Sequence, residues 1–366
     1  MQQGPADAID VSALNRALVV KLRHHGDVLL ATPVFGVLGA RAPRMAIDAL
    51  VYDDTAPMLA GMPGLAELHT VGRAWRGLGA AERLAREWRL YSELRERRYD
   101  LIVHLSEHPR GAWLARALRA RYAVAPALPG RGRLWAKSFS HLYALPRNGR
   151  RHAVELNLDA LRRIGIQPGH EERRVRFVPG AEAEARVEAL LAERGLAARG
   201  FIHMHPASRW RFKCWPAEQN AELIGRLAGE GQRIVLTSAP SAEEVALIDD
   251  IVARAADKVL NLAGKLSVKE LGALTGRARL FVGVDSMPMH LAAAMGTPTV
   301  ALFGPSGELD WGPWNVAHRV VVASDYSCRP CGNDGCGGGK LSECLTTLAV
   351  DTVHAAAASL LAETAA

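Results

Sequence analysis

Three stretches of the sequence combine side chains that can do chemistry, and each follows or contains an apolar run. The first, "KLRHHGDVLLATP" at residues 21–33, sets one carboxylate, Asp27, behind a group of potential cations. Such a carboxylate is a candidate general base, because it can take the proton of an attacking hydroxyl. The simpler interpretation is that Asp27 caps a helix that begins at Val28 and is kinked at Pro33. The cations beside it are Lys21, Arg23, His24 and His25.

The second stretch is "FVGVDSMPMHLAAAMGTPTVALFGPS" at residues 281–306. An apolar strand pattern ends at Asp285, and Pro288 suits the first turn of a helix, where its missing N–H costs nothing. The N–H groups and dipole of a helix start favour an anion, so Ser286 and His290 would lie at an anion site. The simpler interpretation is a helix capped by Ser286, with His290 as an interior histidine.

The third stretch is "HMHPASRWRFKCWPAE" at residues 203–218. A strand pattern ends at His205, and a hydroxyl (Ser208) and a cation (Lys213) follow before the next helix. This combination suits a phosphate, with Lys213 as a point charge, although a solvated loop lysine fits the pattern equally well. Two anion-facing strand ends in one domain predict a site for a nucleoside diphosphate.

The elements that position these side chains form a regular alternation. Short apolar runs that favour strands alternate with stretches of helical periodicity, as in parallel sheets covered on both faces, which bind ligands beyond the carboxyl ends of the strands. Two such series, separated by the polar segment 165–182, predict two doubly wound α/β domains with a cleft between them. The predicted strands are 17–22, 45–52, 68–72, 101–105, 122–126, 201–206, 233–238, 259–264, 280–285 and 298–304, and the predicted helices are 80–98, 216–230, 241–256, 267–276 and 287–296.

Composition and charge narrow the class of protein. A chain of 366 residues is too long for a single hydrophobic core and suits two domains. Its 45 Lys and Arg against 38 Asp and Glu give a net charge of +7. Much of the excess lies at 116–122 and 129–137, and it favours nucleic acid, an acidic membrane or a phosphorylated substrate, unless it is only a solvated face. The start of the chain shows no secretory signal and no run of about 18 apolar residues, so a cytoplasmic protein is expected.

Nucleotide-binding motifs of other classes are missing or incomplete. No G-x-G-x-x-G follows a predicted strand, which weakens a nicotinamide or flavin dehydrogenase. The segment "GCGGGKLS" fails as a phosphate loop, because Asp334 stands where the first glycine belongs.

Four of the five cysteines lie close together near the end of the chain, in the spacing C-x2-C-x4-C-x7-C. Such a group can hold a structural metal, but the spacing matches none of the well-known zinc patterns. Reduced thiols are the simpler interpretation, and no metal ligand is predicted. The four are Cys328, Cys331, Cys336 and Cys344, and the fifth is Cys214.

Taken together, the three stretches resemble the lipopolysaccharide heptosyltransferases of glycosyltransferase family nine. The resemblance covers about residues 17–345. The cysteine tract "CRPCGNDGCGGGKLSECL" and the variant "FKCWP" look most like the heptosyltransferase III branch.

The resemblance implies a GT-B fold, in which two Rossmann-like domains face a cleft. Residues 1–175 would bind the acceptor and residues 176–366 the nucleotide sugar, with the last helix a candidate to pack back on the N-terminal domain. The implied reaction is an inverting, metal-independent transfer, without a cofactor, from ADP-heptose to the phosphorylated inner core of lipopolysaccharide. The protein would lie in the cytoplasm, peripheral to the inner membrane, and no nucleic-acid partner is expected.

The resemblance also implies roles for individual residues. Asp27 matches the general base, Ser208 and Lys213 match the phosphate contacts, and Asp285 matches the acid that holds the donor sugar. Further donor contacts are implied for the helix-start loop, for a ribose-binding acid and for an apolar contact to adenine: Ser286, Met287, Pro288, Met289 and His290; Glu243 or Glu244; and Leu266. Apart from the resemblance, the charge of Lys21, Arg23, His24 and His25 makes these residues candidates to meet the acceptor phosphates. His104 and His108, at another strand end, are candidates to line the acceptor cleft.

Two positions depart from the family pattern. Met287 stands where a glycine often follows the Asp-Ser pair, and Ala207 stands where a second hydroxyl often occurs. Met287 keeps open a transferase of the same fold with another nucleotide-sugar donor. A non-catalytic protein that binds an anionic glycolipid is a second alternative.

Overall fold

The computed structural model describes residues 5–146, 150–255 and 259–364. Its contacts divide the chain into two compact units, Met1–Val178 and Pro179–Ala366. The sequence placed the boundary slightly earlier, between 175 and 176.

The N-terminal unit contains one sheet of six parallel strands with helices on both of its faces. In chain order its strands and helices are β1 Arg16–Val20, α1 His25–Leu29, α2 Thr32–Arg41, β2 Ala46–Tyr52, β3 Leu65–Val71, α3 Ala80–Glu96, β4 Leu101–His104, α4 Pro109–Leu118, β5 Tyr122–Ala127, α5 Gly132–Ala136, β6 His141–Ala144 and α6 Ala153–Arg163. The strands lie in the order β3-β2-β1-β4-β5-β6.

The helices of this unit form two layers. Helices α3, α4 and α5 share one core cluster with the sheet, in which Leu94, Leu114 and Trp135 pack with Leu18 and Ile102. Crossovers between parallel strands are right-handed. Connections that step across the sheet toward β6 therefore lie on this face, and connections that step toward β3 lie on the opposite face. Helices α2 and α6 pack against each other, and α6 also packs on β5 and β6.

The C-terminal unit repeats this architecture. In chain order its elements are α7 Ala181–Glu193, β7 Ile202–His205, α8 Ala217–Gly229, β8 Ile234–Leu236, α9 Ala242–Ala255, β9 Val259–Asn261, α10 Val268–Arg277, β10 Leu280–Val284, α11 Met287–Ala294, β11 Thr299–Leu302, α12 Glu308–Trp311, β12 His318–Val321, α13 Glu343–Thr346 and α14 Val350–Glu363. The strands lie in the order β12-β11-β10-β7-β8-β9. The last helix, α14, packs on α8, β11 and β12 of this unit.

Both sheets have a topological switch point between their first and fourth strands. In the N-terminal sheet β1 pairs with β4, with Val20 opposite His104, and in the C-terminal sheet β7 pairs with β10, with His205 opposite Gly283. Crossovers leave these two strands in opposite directions, which opens a crevice beyond their carboxyl ends, where ligands of such sheets bind.

The predicted strands and helices are all present, with small shifts at their ends. The helix predicted at 241–256 ends at Ala255, and residue 256 lies outside the described residues. Two strands, β6 and β12, were not predicted. Among the described helices, none is both long and apolar enough to cross a membrane.

Candidate active site

An ion pair joins the carboxyl ends of β7 and β10. Asp285 follows β10 directly and is 5% exposed. Its Oδ2 lies 2.6 Å from Nζ of Lys213, which belongs to the 3₁₀ turn Arg211–Lys213 after β7. A carboxylate so far from water needs such a partner, because its desolvation costs several kcal/mol. The fold therefore brings together two of the predicted donor-binding residues at the switch point.

Ser208 lies in the same loop after β7. Its Oγ is 3.3 Å from the backbone N–H of Trp210, so the hydroxyl oxygen accepts within the turn. Ala207, the residue before it, is fully buried in the core cluster of this unit, which accounts for an apolar residue where the family often has a hydroxyl. Burial raises the pKa of the nearby Cys214 thiol to about 11, so this thiol stays protonated near neutral pH.

Helix α11 begins at the same edge of the sheet. Ser286 occupies the N-cap position, but its hydroxyl turns back toward the carbonyl of Val284, at 3.4 Å, and caps no helix N–H. The prediction of Ser286 as the N-cap is therefore confirmed, although its side chain makes no capping hydrogen bond. Pro288 lies in the first turn, as predicted.

The other residues of the predicted helix-start loop differ in exposure. Met287 is half-buried, whereas Met289 is fully buried among Phe281 and Phe303 of the core. His290 is also buried, and its ring lies 6.4 Å from that of Trp311. Met287 is therefore the residue of this loop, after Ser286, whose side chain reaches solvent.

A chain of buried hydrogen bonds lies beneath the β7 end. Thr237 Oγ1 is 2.7 Å from His203 Nε2 and 2.8 Å from His205 Nδ1, while Thr275 Oγ1 is 3.1 Å from His203 Nδ1 and donates to the Leu271 carbonyl. Only one set of proton positions satisfies every group. Thr275 accepts from His203 Nδ1–H, Thr237 then donates to His203 Nε2, and His205 Nδ1–H donates to Thr237.

This chain keeps both histidines neutral. Burial lowers the pKa of His205 to about 3, and it also lowers that of His203 well below its ordinary value. The sequence analysis gave neither histidine a role. The sequence alone offers only the His-x-His pattern at the strand end as a signal, because Thr237 follows a different strand, β8.

The three remaining donor candidates lie in other loops of this unit. Glu244 is buried and accepts the N–H of Ala239 at 3.0 Å, and burial raises its pKa. Glu243 is exposed. Leu266 is half-buried and packs against the core cluster that contains Val187. Glu243 thus has the more accessible carboxylate, while Glu244 shapes the loop after β8.

Asp27 lies beyond the carboxyl end of β1. It is the third residue of α1, and its Oδ2 is 3.4 Å from the backbone N–H of His24, which is the N-cap. The helix therefore begins at His25 and not at Val28, but the predicted capping role of Asp27 is confirmed, since Asp27 forms a capping box with His24. Pro33 produces no kink, since it lies in the first turn of a separate helix, α2. The other carboxylate oxygen is 3.5 Å from Nε of Arg23, and the side chain keeps 14% of its surface exposed.

Lys21 lies behind Asp27 and is buried. Its ammonium donates to the carbonyl of Leu105 at 2.8 Å and to Oδ1 of Asn157 at 2.9 Å, and the amide of Asn157 in turn donates to the carbonyl of Leu30. Burial lowers the pKa of Lys21 to about 8, and the charge of Asp27 opposes that shift. Lys21 was predicted to meet the acceptor, but its ammonium lies inside the unit, beneath the site. The sequence analysis did not identify Asn157, which belongs to the last helix of the unit and is distant from Lys21 along the chain.

The other predicted acceptor residues occupy different environments. Arg23 and His24 are exposed, and His25 is half-buried with a pKa lowered by burial. His104 is fully buried, stacks on Phe139 and has its pKa lowered to about 3 by burial. It is thus a neutral core histidine, whereas the half-buried His108 is the N-cap of α4.

The cysteine tract carries no metal site in the described part of the chain. Cys328, Cys331 and Cys336 are exposed, Cys344 is buried, and no group of three or more His, Cys, Asp or Glu in that part is placed to hold a metal ion. Burial and the three neighbouring thiols raise the pKa of Cys344, which the charge of Arg329 opposes.

Comparison with known sequences finds relatives over most of the chain. The family model described as glycosyltransferase family 9 (heptosyltransferase) matches residues 87–341. Lipopolysaccharide heptosyltransferase 3 of Escherichia coli K12 is 35% identical over 311 residues, which are 84% of this chain and 88% of that protein.

Solved structures show the same fold. A glycosyl transferase family 9 protein from Veillonella parvula matches with a TM-score of 0.83 and 22% identity, covering 98% of this chain and 100% of that one. The Escherichia coli heptosyltransferase WaaC, in a structure with ADP-2-deoxy-2-fluoro heptose, matches with a TM-score of 0.71 and 21% identity, covering 95% and 99%. The predicted α/β fold of the GT-B type, with two Rossmann-like units, is confirmed.

Proposed function

The chain belongs to glycosyltransferase family 9, the heptosyltransferases, and on that premise we propose that it transfers heptose from ADP-heptose to the lipopolysaccharide inner core with inversion at the anomeric carbon. The observation that carries the choice of substrates is the 35% identity, over most of both chains, to a lipopolysaccharide heptosyltransferase. We further propose that the enzyme works at the cytoplasmic face of the inner membrane as a peripheral protein, because its acceptor is a membrane lipid.

Asp27 acts as the general base in this proposal. The acceptor hydroxyl oxygen forms a bond to the anomeric carbon while the bond from that carbon to the diphosphate breaks, and Asp27 takes the hydroxyl proton. Among the described residues its carboxylate has two contacts, both long, at 3.4 and 3.5 Å, so it retains the capacity to accept a proton. The carboxylic acid then releases the proton to water, and the site is regenerated.

The C-terminal switch point holds the leaving group. ADP departs with the electron pair of the broken bond, and the growing charge on its diphosphate is met by Lys213, the Ser208 hydroxyl and the start of α11. Asp285 holds one N–H of Lys213, which leaves the ammonium two more donors for phosphate oxygens. The second carboxylate oxygen of Asp285 serves a hydroxyl of the donor sugar, and Glu243 serves the ribose.

The test compares donors with one acceptor. Purified protein is incubated with a phosphorylated inner-core acceptor and with ADP-heptose, UDP-sugars or GDP-sugars, and nucleotide release, product mass and anomeric configuration are measured. Only ADP-heptose should give product, with the configuration at the anomeric carbon reversed. Turnover with UDP-sugars alone would establish a different transferase, and glycolipid binding without turnover on any donor would establish a binding protein.

A further inference from the structure

One layer of the N-terminal unit carries exposed apolar side chains. Leu84 and Trp88 on α3, Trp113 on α4 and Leu134 on α5 are between 50% and 69% exposed. The three helices pack on the same face of the sheet and share one core cluster, so their outer sides form one surface. Exposed apolar groups that collect in this way mark an interaction site more often than single scattered ones do.

Aromatic contacts make this surface continuous from α3 to α4. The ring of Tyr91 lies 5.5 Å from that of Trp88 and 5.5 Å from that of Trp113, and Leu84 is one helical turn before Trp88. Tryptophan and tyrosine join an apolar ring to a polar atom, which is why both concentrate where lipid chains meet head groups. We call this the α3–α5 surface, defined by Leu84, Trp88, Tyr91, Trp113 and Leu134.

Positive charge concentrates on the same segment of the chain. Residues 80–137 contain 13 Lys and Arg against 6 Asp and Glu, an excess equal to the net +7 of the whole chain. The rest of the sequence is therefore balanced, with equal numbers of acidic and basic side chains. Such a local excess favours an anionic partner.

Four arginines collect in a pocket at one end of the surface. The pocket, of about 740 Å³, lies where α3 and α4 end, and Trp88 and Tyr91 also line it. Two carboxylates also line the pocket. One of them, Asp100, is already engaged, because it accepts the backbone N–H groups of Asn15 and Arg16. The arginines are Arg95, Arg98, Arg119 and Arg121, all exposed, and none is ion-paired with a described carboxylate.

We propose that the α3–α5 surface docks the protein on a membrane that contains anionic phospholipid. The apolar side chains enter the head-group boundary, and the arginines of the pocket bind lipid phosphates. The helices begin at the carboxyl edge of the sheet, beyond which Asp27 lies, and α3 and α4 end at the opposite edge, where the pocket lies, so docking along their whole outer side brings both edges alongside the lipid surface.

The proposal is tested by co-sedimentation of the full chain with vesicles. Wild type should bind vesicles of phosphatidylglycerol and phosphatidylethanolamine and should bind phosphatidylcholine vesicles far more weakly. Arg95→Glu/Arg119→Glu should weaken binding by about 100-fold or more, and Trp88→Ala/Trp113→Ala by about 10-fold. All four side chains are exposed, so circular dichroism and thermal unfolding should match wild type.

Matched variants on the C-terminal unit are the controls. Arg194→Glu/Arg233→Glu and Leu309→Ala/Leu341→Ala change equally exposed side chains of the same kinds and should leave vesicle binding unchanged. Equal loss in the control pairs, equal binding to both lipid compositions, or no binding by wild type would overturn the proposal. A dimer that Trp88→Ala/Trp113→Ala dissociates, without vesicle binding, would assign the surface to a second copy instead, and retention on nucleic acid alone would assign it to that polymer.

A second readout rests on the proposed function. With a delipidated, water-soluble core acceptor the two surface variants should turn over as wild type does, whereas with acceptor embedded in anionic vesicles their rates should fall by at least 10-fold. Vesicle binding is measured without donor or acceptor, so a wrong substrate assignment leaves the docking result intact. Equal loss on both acceptors would show that the substitutions act on the active site and would contradict docking.

Discussion

The switch points of the two sheets have the same strand arrangement but opposite placements of charge. In the N-terminal unit the cation is buried: Lys21 is 8% exposed and bound to neutral oxygens, while Asp27 beside it is partly exposed. In the C-terminal unit the anion is buried: Asp285 is 5% exposed, while Lys213, bound to it, is half-buried.

This reversal gives each crevice a different chemistry. A carboxylate that water reaches, backed by an inner cation, is placed to accept a proton from a bound hydroxyl. An ammonium that water reaches, fixed by an inner carboxylate, can stabilise charge that develops on a phosphate. Under the proposed function, one architecture supplies a base at one switch point and an anion site at the other, and the outer charge of each determines which.

Removing the outer charge of the N-terminal site should have the largest effect. Asp27→Asn keeps the size of the side chain but cannot take the acceptor proton, and we expect kcat to fall about 1,000-fold with ADP affinity unchanged. Initial rates and calorimetric titration with ADP measure the two. Glu107→Gln, an exposed carboxylate after β4, is the control and should retain full turnover. A similar loss of turnover in both variants would show that Asp27 is not the general base.

Removing the outer charge of the C-terminal site should come next. Lys213→Met should lower kcat about 100- to 1,000-fold, because the leaving diphosphate loses a charged donor. It should also lower the free energy of unfolding by about 2 kcal/mol, since Asp285 is left without its partner, a cost that partial exposure of the ammonium reduces.

The double variant Lys213→Met/Asp285→Asn separates the two effects of that substitution. Stability should recover, because no unpaired buried charge remains, while turnover should stay low. Lys265→Met, at an exposed lysine of the same unit, should change neither quantity. Recovery of turnover in the double variant would show that the lysine only neutralises Asp285.

The buried Lys21 of the N-terminal site should make the stability of the protein depend on pH. The pKa of Lys21 is about 8 against an ordinary 10.5, so between these values the unfolded chain holds a proton that the folded chain has lost. Stability therefore rises with pH across this window, by up to about 3 kcal/mol, relative to a chain without that lysine.

Lys21→Met should lack this rise. Denaturant titrations at pH 8 and pH 10.5 measure the change in unfolding free energy, which should be larger for wild type than for Lys21→Met. Lys137→Met, at an exposed lysine of the same unit, should behave as wild type. Parallel pH profiles for wild type and Lys21→Met would mean that Lys21 is better solvated than its contacts indicate.

Comparing the sheets also shows what the sequence could predict. Ten of the twelve strands were predicted, because strands buried on both faces have continuous apolar runs, as in β1 and β10. The two that were missed, β6 and β12, are sixth strands at corresponding edges, and their sequences "HLYA" and "HRVV" include side chains that face solvent. The other two edge strands, β3 and β9, were predicted, so an edge position alone did not hide β6 and β12.

The candidate site was predictable to the same extent. Asp27, Lys213 and Asp285 each follow a recognisable strand, but their proposed roles came from the resemblance to the family, and the local pattern alone left a helix cap or a solvated lysine open. The contacts that hold the sites together join distant segments, such as Lys21 to Asn157 and His205 to Thr237. Exposure was not predictable either, and it is exposure that separates the inner from the outer charge at each switch point.

The smallest expected effect concerns the neutral hydrogen-bond chain beneath the C-terminal site. Thr237→Val keeps the shape of the side chain but leaves His203 Nε2 and His205 Nδ1–H without their shared partner. We expect a loss of about 1–3 kcal/mol in unfolding free energy, measured by denaturant titration, and a few-fold weaker ADP affinity, because β7 leads into the Ser208 loop. Thr352→Val, at an exposed threonine of the same unit, should leave both unchanged. If the two variants are equally stable, the chain of four side chains does not support the strand end, and the C-terminal switch point depends on its ion pair alone.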